Sequence, residues 1–262
     1  MIDANTDNVQ VTIDKGIMEI CLNRPERKNA LSLAMYQKLG DSVRAGSEDT
    51  SVRVILITGA EGCFTSGNDL GDFAKHKGQL DPEENPTPKF MRALLDCDKP
   101  VVAAVQGPAV GIGTTMLLHC DLVYAGASAY FQLPFAKLGL CPEFASSVVL
   151  PRLMGHLRAA ELLYFSESFS ADVAKQVGIV NQVLPDNQLL ALVRERCQLL
   201  TRQPASGLRA TKQLLKQDIR AQAAGIMERE QEHFKRGLQS PEFAEAVAAF
   251  AEKREPDFSR FD

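Results

Sequence analysis

The sequence lacks the residue patterns of metal centres and of disulfide frameworks. Its six cysteines contain no Cys-x-x-Cys pair, and no group of histidine, cysteine or acidic residues has the spacing of metal ligands, so we predict no metal site. Scattered cysteines of this kind are typical of free thiols in a reducing compartment. Apolar runs are also short. None approaches the roughly 20 residues of a membrane-spanning helix, so we expect no membrane segment.

An excess of positive charge is missing too. At a formal net charge of −4 and a pI near 5.7, the chain has no broad attraction for nucleic acid or for anionic membranes. The polar, acidic residues 1–7 argue against a secretory signal or a basic transit peptide, and residues 259–262 are not a peroxisomal address. We therefore expect a cytoplasmic protein, and 262 residues are ample to bury a core.

What the chain does contain is a glycine-rich segment between a buried strand and a helix. Residues 100–105 are a short apolar, β-branched run, which predicts a strand, and residues 114–120 are apolar enough for a buried helix. Gly107, Gly111 and Gly113 lie at the join, where the first amides of a helix lack intrahelical partners and favour negative charge. The segment predicts either a backbone anion site or a tight turn packed in the core.

A second strand of the same kind runs into a similar turn. Residues 52–58 are apolar and precede a glycine-containing turn at 59–62, which is followed by the polar segment 64–70. Two amides that converge from separate loops are what an oxyanion hole requires, because fixed donors stabilise developing negative charge without reorganising. The two turns together favour the anion site.

The C-terminal part of the chain has a different pattern. From about residue 188 onward the sequence is almost wholly helical in pattern and rich in charge. Glycine lowers helix stability in a helix interior, so we expect breaks at Gly207, Gly225 and Gly237.

Several motifs along the chain resemble those of the crotonase (enoyl-CoA hydratase/isomerase) superfamily, in the same order and spacing. They lie at residues 22–25, 29–31, 64–69, 105–111, 120–121, 178–181 and 250–254. The resemblance implies an α/β fold, in which a spiral of ββα units at residues 1–198 holds the acyl-CoA site. A helical region at 199–262 then serves oligomerisation, as a homotrimer or a dimer of trimers. The implied partner is an acyl-CoA thioester whose carbonyl oxygen is held by the backbone amides of Asn68 and Ile112.

The side chains around that oxyanion hole indicate which reaction is favoured. Hydratases of the superfamily carry two glutamates that activate a water, and the matching positions here are Thr115 and Phe135. Neither side chain is a useful base near neutral pH. Residues 131–147, with Glu143, instead look like the peroxisomal type of Δ3,Δ2-enoyl-CoA isomerase, the dodecenoyl-CoA isomerase type, in which the matching glutamate is the catalytic base. The resemblance implies proton shuttling by that one glutamate in fatty-acid β-oxidation, with no cofactor apart from the coenzyme A that the substrate carries.

Two other functions remain open from the sequence. One is hydration, or another crotonase-type reaction, through an unusual arrangement of residues. The other is a non-catalytic acyl-CoA-binding or scaffold protein with the same fold. Glu143 also has a purely structural interpretation, as an acidic first-turn residue that interacts with the dipole of the following helix.

Residues that contact coenzyme A are carried over by motif position. Arg27 and Lys28 suit a diphosphate, while Phe250 and Lys253 match tail positions that reach the adenine and the 3′-phosphate across a subunit boundary. Each cation could equally be a solvated surface charge. The full predicted set is Arg27, Lys28, Ala30, Ser66, Gly67, Asn68, Asp69, Leu70, Gly111, Phe250 and Lys253.

Overall fold

The computed structural model describes residues 8–69, 71 and 84–261, and it consists of two β-sheets surrounded by helices. The strands are β1 Val9–Asp14, β2 Ile17–Leu22, β3 Val54–Gly59, β4 Val101–Val105, β5 Pro108–Val110, β6 Leu122–Gly126, β7 Tyr130–Gln132, β8 Phe169–Ser170 and β9 Gln182–Leu184. The helices are α1 Leu33–Glu48, α2 Pro86–Asp96, α3 Ile112–Thr115, α4 Ser146–Met154, α5 His156–Phe165, α6 Ala171–Gln176, α7 Asp186–Thr201, α8 Ala205–Leu238 and α9 Pro241–Glu252. None of these helices is long and apolar enough to cross a membrane.

The larger sheet has six strands in the order β1-β2-β3-β4-β6-β9, and the smaller one has the order β5-β7-β8. In the larger sheet β1 and β2 are antiparallel and every later pairing is parallel. Parallel strands covered by helices on both faces are continuously apolar, and every residue of β4 is buried. This is why the runs at 52–58 and 100–105 could be predicted as strands.

The sheet order places the two predicted anion turns side by side. Because β3 and β4 are parallel neighbours, the loops that follow them leave the same edge of the sheet. The Phe64 amide donates to the Gln106 carbonyl at 2.7 Å, and Thr65 then forms a parallel bridge with Ala109. The two loops are therefore joined by backbone hydrogen bonds before either reaches the site.

The C-terminal helical region is confirmed, but the predicted breaks are wrong. The 34-residue α8 runs without interruption through Gly207, Gly225 and Gly237. Tertiary packing offsets the low helix propensity of these glycines, since most helical stability in proteins comes from packing. The predicted boundary between residues 198 and 199 falls within α7, and the division into two functional regions stays a prediction.

Cations on one face of α8 attach the helix to the end of the sheet. The buried ammonium of Lys212 donates to the Lys99 carbonyl at 2.6 Å and pairs with Asp121 at 2.7 Å, and Lys216 pairs with the same carboxylate at 3.2 Å. Four residues further on, Arg220 donates to carbonyls at the end of α2. The helix thus has a fixed register along the core.

The glycines of α8 should respond in opposite ways to substitution by alanine. A Cβ at Gly225 would meet only the Arg229 side chain, at 3.7 Å, whereas one at Gly237 would lie 2.8 Å from the Gly139 carbonyl oxygen and 2.9 Å from Leu140 Cδ2. We expect Gly225→Ala to raise the free energy of unfolding by up to about 1 kcal/mol through helix propensity. Gly237→Ala should lower it through overpacking, and denaturant unfolding measures both. Equal effects at the two positions would contradict this packing.

Candidate active site

The first half of the site is the turn between β5 and α3. Gly111 has φ +57° and ψ −118°, a conformation that residues with a Cβ rarely adopt. Its amide donates to the Gln132 carbonyl at 2.9 Å, and its own carbonyl accepts from the amides of Thr114 and Thr115. Ile112 begins the helix, so its amide has no intrahelical partner. The turn presents this backbone donor on a fully buried residue.

The second half of the site is the loop that contains Asn68. Leu31 donates to the Gly67 carbonyl at 2.8 Å and accepts from the Asp69 amide at 3.0 Å, as in a parallel bridge centred on Asn68. The amide of Asn68 itself therefore points away from Leu31. A Cβ at Gly67 would lie 2.7 Å from the Val110 carbonyl oxygen, so this loop passes directly against the end of β5. The two predicted oxyanion donors lie on contacting loops.

An ion pair and a buried hydroxyl fix the Asn68 loop. The Arg24 guanidinium pairs with Asp69 at 2.8 Å and also donates to the Ala30 carbonyl at 3.1 Å. The Tyr36 hydroxyl, on the buried face of α1, donates to the Asn68 side-chain oxygen. A backbone amide is a useful catalytic donor only if it does not have to reorganise, and these contacts supply that rigidity.

Glu143 lies just before α4, on a strained piece of backbone. The structural interpretation of Glu143 as a first-turn residue is wrong, because α4 begins only at Ser146. Phe144 and Ala145 intervene with φ of 58° and 56°, in the left-handed region. The turn directs Glu143 away from the helix axis and into the protein, where its side chain is only 7% exposed.

The Glu143 carboxylate is buried without full hydrogen bonding. Its Oε1 atom has no partner among the residues described, and the same is true of Thr115 Oγ1. Burial, and secondarily the charge of Glu230, raises the pKa of Glu143 to about 8. Burial, and secondarily the charge of Glu143, raises the pKa of Tyr36 well above its ordinary value of 10. A buried carboxylate with an unpaired oxygen can act as a base towards a carbonyl compound that hydrogen-bond donors polarise.

A histidine supports the backbone next to Glu143. His119 Nε2 contacts the Phe144 carbonyl at 2.7 Å, and the two rings stack with centroids 3.8 Å apart. Burial lowers the pKa of His119 to about 3. The ring is therefore neutral near pH 7, and its Nε2–H donates to the carbonyl.

Comparison with known proteins identifies the family and the fold. A model of the enoyl-CoA hydratase/isomerase family matches residues 12–260. The chain belongs to the enoyl-CoA hydratase/isomerase family. The predicted fold class is confirmed by the structure of OdaA from Pseudomonas aeruginosa, which superposes with a TM-score of 0.90 at 41% identity, covering 94% of this chain and 99% of that one.

Relatives within the family carry different activities in their names. Enoyl-CoA delta isomerase 2 of Rattus norvegicus is 33% identical over 250 residues, which is 94% of this chain, and this chain spans 64% of that protein's length. The 2,3-dehydroadipyl-CoA hydratase of Escherichia coli K12 is 32% identical over 248 residues, covering 95% of this chain and 97% of that protein. Membership in the family therefore does not by itself distinguish an isomerase from a hydratase.

The predicted coenzyme A contacts fall into two groups in the structure. Arg27, Lys28 and Ala30 lie on the turn that is bonded to the Asn68 loop, for example through the Ser66 amide, which donates to the Lys28 carbonyl at 2.9 Å. Gly67, Asn68, Asp69 and Gly111 belong to the loops already described, and Leu70 lies outside the described residues. Phe250, 73% exposed, and Lys253 are at the end of α9 and share no hydrogen bond with the first group in the described ranges. Their roles stay predictions.

The sequence did not reveal Tyr36 or Glu230 as parts of the site. Tyr36 lies among the apolar positions of an amphipathic helix, where an aromatic residue is expected in any core. Glu230 belongs to a charged stretch of α8, and nothing local distinguishes it from its exposed neighbours. Both residues reach the site only through tertiary packing.

The raised pKa of Glu143 predicts a pH-dependent stability. The folded state holds the Glu143 proton more tightly than the unfolded state. The resulting stabilisation of the fold is fully present below the ordinary pKa of 4.5 and is lost as the pH rises through about 8. Replacing Glu143 by glutamine removes this loss of stability at high pH, because glutamine does not ionise. We expect the melting temperature of Glu143→Gln to exceed that of wild type by more at pH about 8.5 than at pH about 5, by the same linkage. The exposed Glu228→Gln is the control, and a pH-independent difference for Glu143→Gln would contradict the burial.

Proposed function

We propose that the protein is a Δ3,Δ2-enoyl-CoA isomerase in fatty-acid β-oxidation, with Glu143 as its single catalytic base. The observation that carries the proposal is one buried carboxylate with an unpaired oxygen, in a chain whose two backbone donors lie on loops that contact each other. The buried Thr115 and Phe135 occupy the two positions at which hydratases of the family carry glutamates. Double-bond migration needs only one base, whereas hydration by the two-carboxylate route needs both acids.

The proposed reaction moves one proton and one double bond. Glu143 removes a proton from C2 of the 3-enoyl thioester, and the electron pair of that C–H bond forms a dienolate whose negative charge rests on the thioester oxygen. The amides of Asn68 and Ile112 donate hydrogen bonds to this oxygen. Glu143 then returns the proton to C4, the C2–C3 double bond forms and the thioester carbonyl is restored. Nothing is oxidised and no water is consumed.

The burial of Glu143 suits this proton transfer. A carboxylate with a pKa of about 8 is a stronger base than an exposed one, and part of it is ionised at physiological pH. Removal of one oxyanion donor typically costs about 3–4 kcal/mol of barrier, so the two amides contribute as much as the base. The apolar ring of Phe135 has no group that could hold an attacking water.

Coenzyme A enters the proposal as part of the substrate, and no other cofactor takes part. Arg27 and Lys28 are exposed on the turn beside the Asn68 loop and are suited to its diphosphate. Phe250 and Lys253 are exposed at the end of α9, where they can serve a neighbouring subunit. We also propose a cytoplasmic location, which the six free cysteines support.

An exposed apolar surface supports a homotrimer or a dimer of trimers. Leu157, Tyr164 and Phe165 of α5 are 84%, 73% and 65% exposed, and Leu214 and Leu215 of α8 are similarly exposed. Clusters of large exposed apolar side chains of this kind mark protein–protein contact surfaces. A second copy of the chain is the partner that we propose.

Incubation with 3-hexenoyl-CoA tests the reaction directly. The protein should form the conjugated 2-enoyl thioester, followed by its ultraviolet absorbance, and should hydrate crotonyl-CoA poorly because Thr115 and Phe135 replace two acids. Comparable rates of hydration would favour a hydratase. Binding of acyl-CoA without either reaction would favour the scaffold function.

Replacement of the base should separate catalysis from binding. Glu143→Gln keeps the size of the side chain but cannot accept the C2 proton, so kcat should fall by about 10²–10⁴-fold while acyl-CoA affinity changes little. Glu228→Gln, an exposed change on α8, should leave the rate unaltered. A Glu143→Gln rate within a few-fold of wild type would remove Glu143 from the mechanism.

The proposed assembly depends on the apolar surface of α5. Leu157→Asp places a charge on this surface, so the variant should sediment as a smaller species than wild type. Ile13, 49% exposed on β1, provides the matched control, because Ile13→Asp adds the same charge elsewhere. If Leu157→Asp kept the sedimentation coefficient of wild type, another surface would have to mediate assembly.

A further inference from the structure

Glu230 of α8 reaches the backbone next to the candidate base. Its carboxylate accepts from the Ala145 amide at 2.6 Å, from the Ser147 amide at 3.1 Å and from the Ser147 hydroxyl at 2.5 Å. The Glu230 side chain is buried, and the three donors belong to Ala145 and Ser147, two and four residues after Glu143. A buried carboxylate with this set of partners is held in one position.

These contacts stabilise a conformation that the local sequence disfavours. Each L-residue in the left-handed region costs roughly 1–2 kcal/mol, and Phe144 and Ala145 adopt it in succession. The first amides of α4 also need an acceptor, which the chain before the helix does not supply with a side chain. Glu230 therefore does from a distant helix what a local N-cap residue usually does.

We propose that Glu230 is a positioning residue, whose carboxylate holds the left-handed turn at Phe144 and Ala145 and thereby directs Glu143 at the substrate. The inference rests on the proposed function, in which Glu143 is the base. With the turn held from α8, Glu143 contacts the start of α4 through its backbone carbonyl, and its side-chain Oε1 atom stays unpaired.

Glu230 also sets the charge that Glu143 experiences. Burial raises the pKa of Tyr36, on α1, well above 10. It also raises the pKa of Cys141, on the loop that carries Glu143, to about 11, and lowers the pKa of His119 to about 3. These three groups are neutral near pH 7. Two cations lie nearby, Arg229 beside Glu230 and Lys216 beside His119. Among the charged groups in the described part of the chain, Glu230 is the one that raises the pKa of Glu143.

Two substitutions of Glu230 separate its geometry from its charge. In Glu230→Gln one acceptor oxygen becomes a donor and the charge is lost, so kcat should fall by about 10- to 100-fold at nearly constant KM. The midpoint of the pH profile should also move to lower pH, by about half a unit or more, because a like charge has been removed. Glu230→Asp keeps the charge on a shorter side chain, so its kcat should fall while its midpoint stays near that of wild type.

Further variants exclude a general effect on folding. The exposed Glu228→Gln, on the same helix, should change neither kcat nor the midpoint. Glu143→Gln/Glu230→Gln should be no slower than Glu143→Gln alone, because Glu230 acts through Glu143. If Glu230→Gln does not fold, Ser147→Ala removes a single donor to Glu230 and should still lower kcat. An unchanged kcat in the folded variant would overturn the proposal.

A second measurement does not depend on turnover. Infrared difference spectra of the substrate-free protein, with Glu143→Gln as reference, follow protonation of the Glu143 carboxyl group. Its midpoint should be lower in Glu230→Gln than in wild type. If wild type fails to isomerise 3-hexenoyl-CoA but the midpoint moves, the proposed function fails and the coupling stands. An unmoved midpoint would overturn the role of Glu230 whatever the activity.

Discussion

The burial of a carboxylate with an unpaired oxygen is the constraint on which the rest of this structure depends. Leaving a buried polar atom without a partner costs about 1–3 kcal/mol, and more for a charged group. Glu143 Oε1 is such an atom, and it lies next to two residues in the left-handed region. The conformation persists because His119 and Glu230 hold the adjacent backbone from two separate elements. The chain stabilises the surroundings of Glu143 and leaves its reactive oxygen free.

The two backbone amides that we propose as oxyanion donors face the opposite constraint, because such an amide must be open to a ligand and yet held in one position. Parallel β3 and β4 deliver their following loops to one edge of the sheet, and the bridge between Thr65 and Ala109 joins those loops. Side chains then complete the support, as in the ion pair of Arg24 with Asp69. Backbone hydrogen bonds from several strands and turns hold the loops that carry these amides, so no single side chain marks them in the sequence.

The sequence predicts those parts of the site that depend on local pattern. Apolar runs predict β3 and β4, and the glycines predict the turn at Gly111, whose dihedral angles exclude most other residues. Local sequence pattern does not predict the features of the structure that tertiary contacts determine. The continuous α8 through Gly225 depends on packing. The carboxylate at the start of α4, for which the sequence suggested Glu143, is that of Glu230, 87 residues later. A charged residue in a charged helix carries no sign that it is buried.

One face of α8 connects the helical tail to the site. Lys212, Lys216 and Arg220 recur every four residues; the two lysines bind the end of the sheet and Arg220 binds the end of α2. Glu230 lies further along the same helix and contacts the start of α4. A shift of one helical turn, about 5.4 Å, would break all of these contacts together. The cations therefore fix the register that brings the Glu230 carboxylate to the turn beside Glu143. The helical tail, for which the sequence predicted oligomerisation and coenzyme A contacts, thus also supplies a carboxylate to the turn beside Glu143.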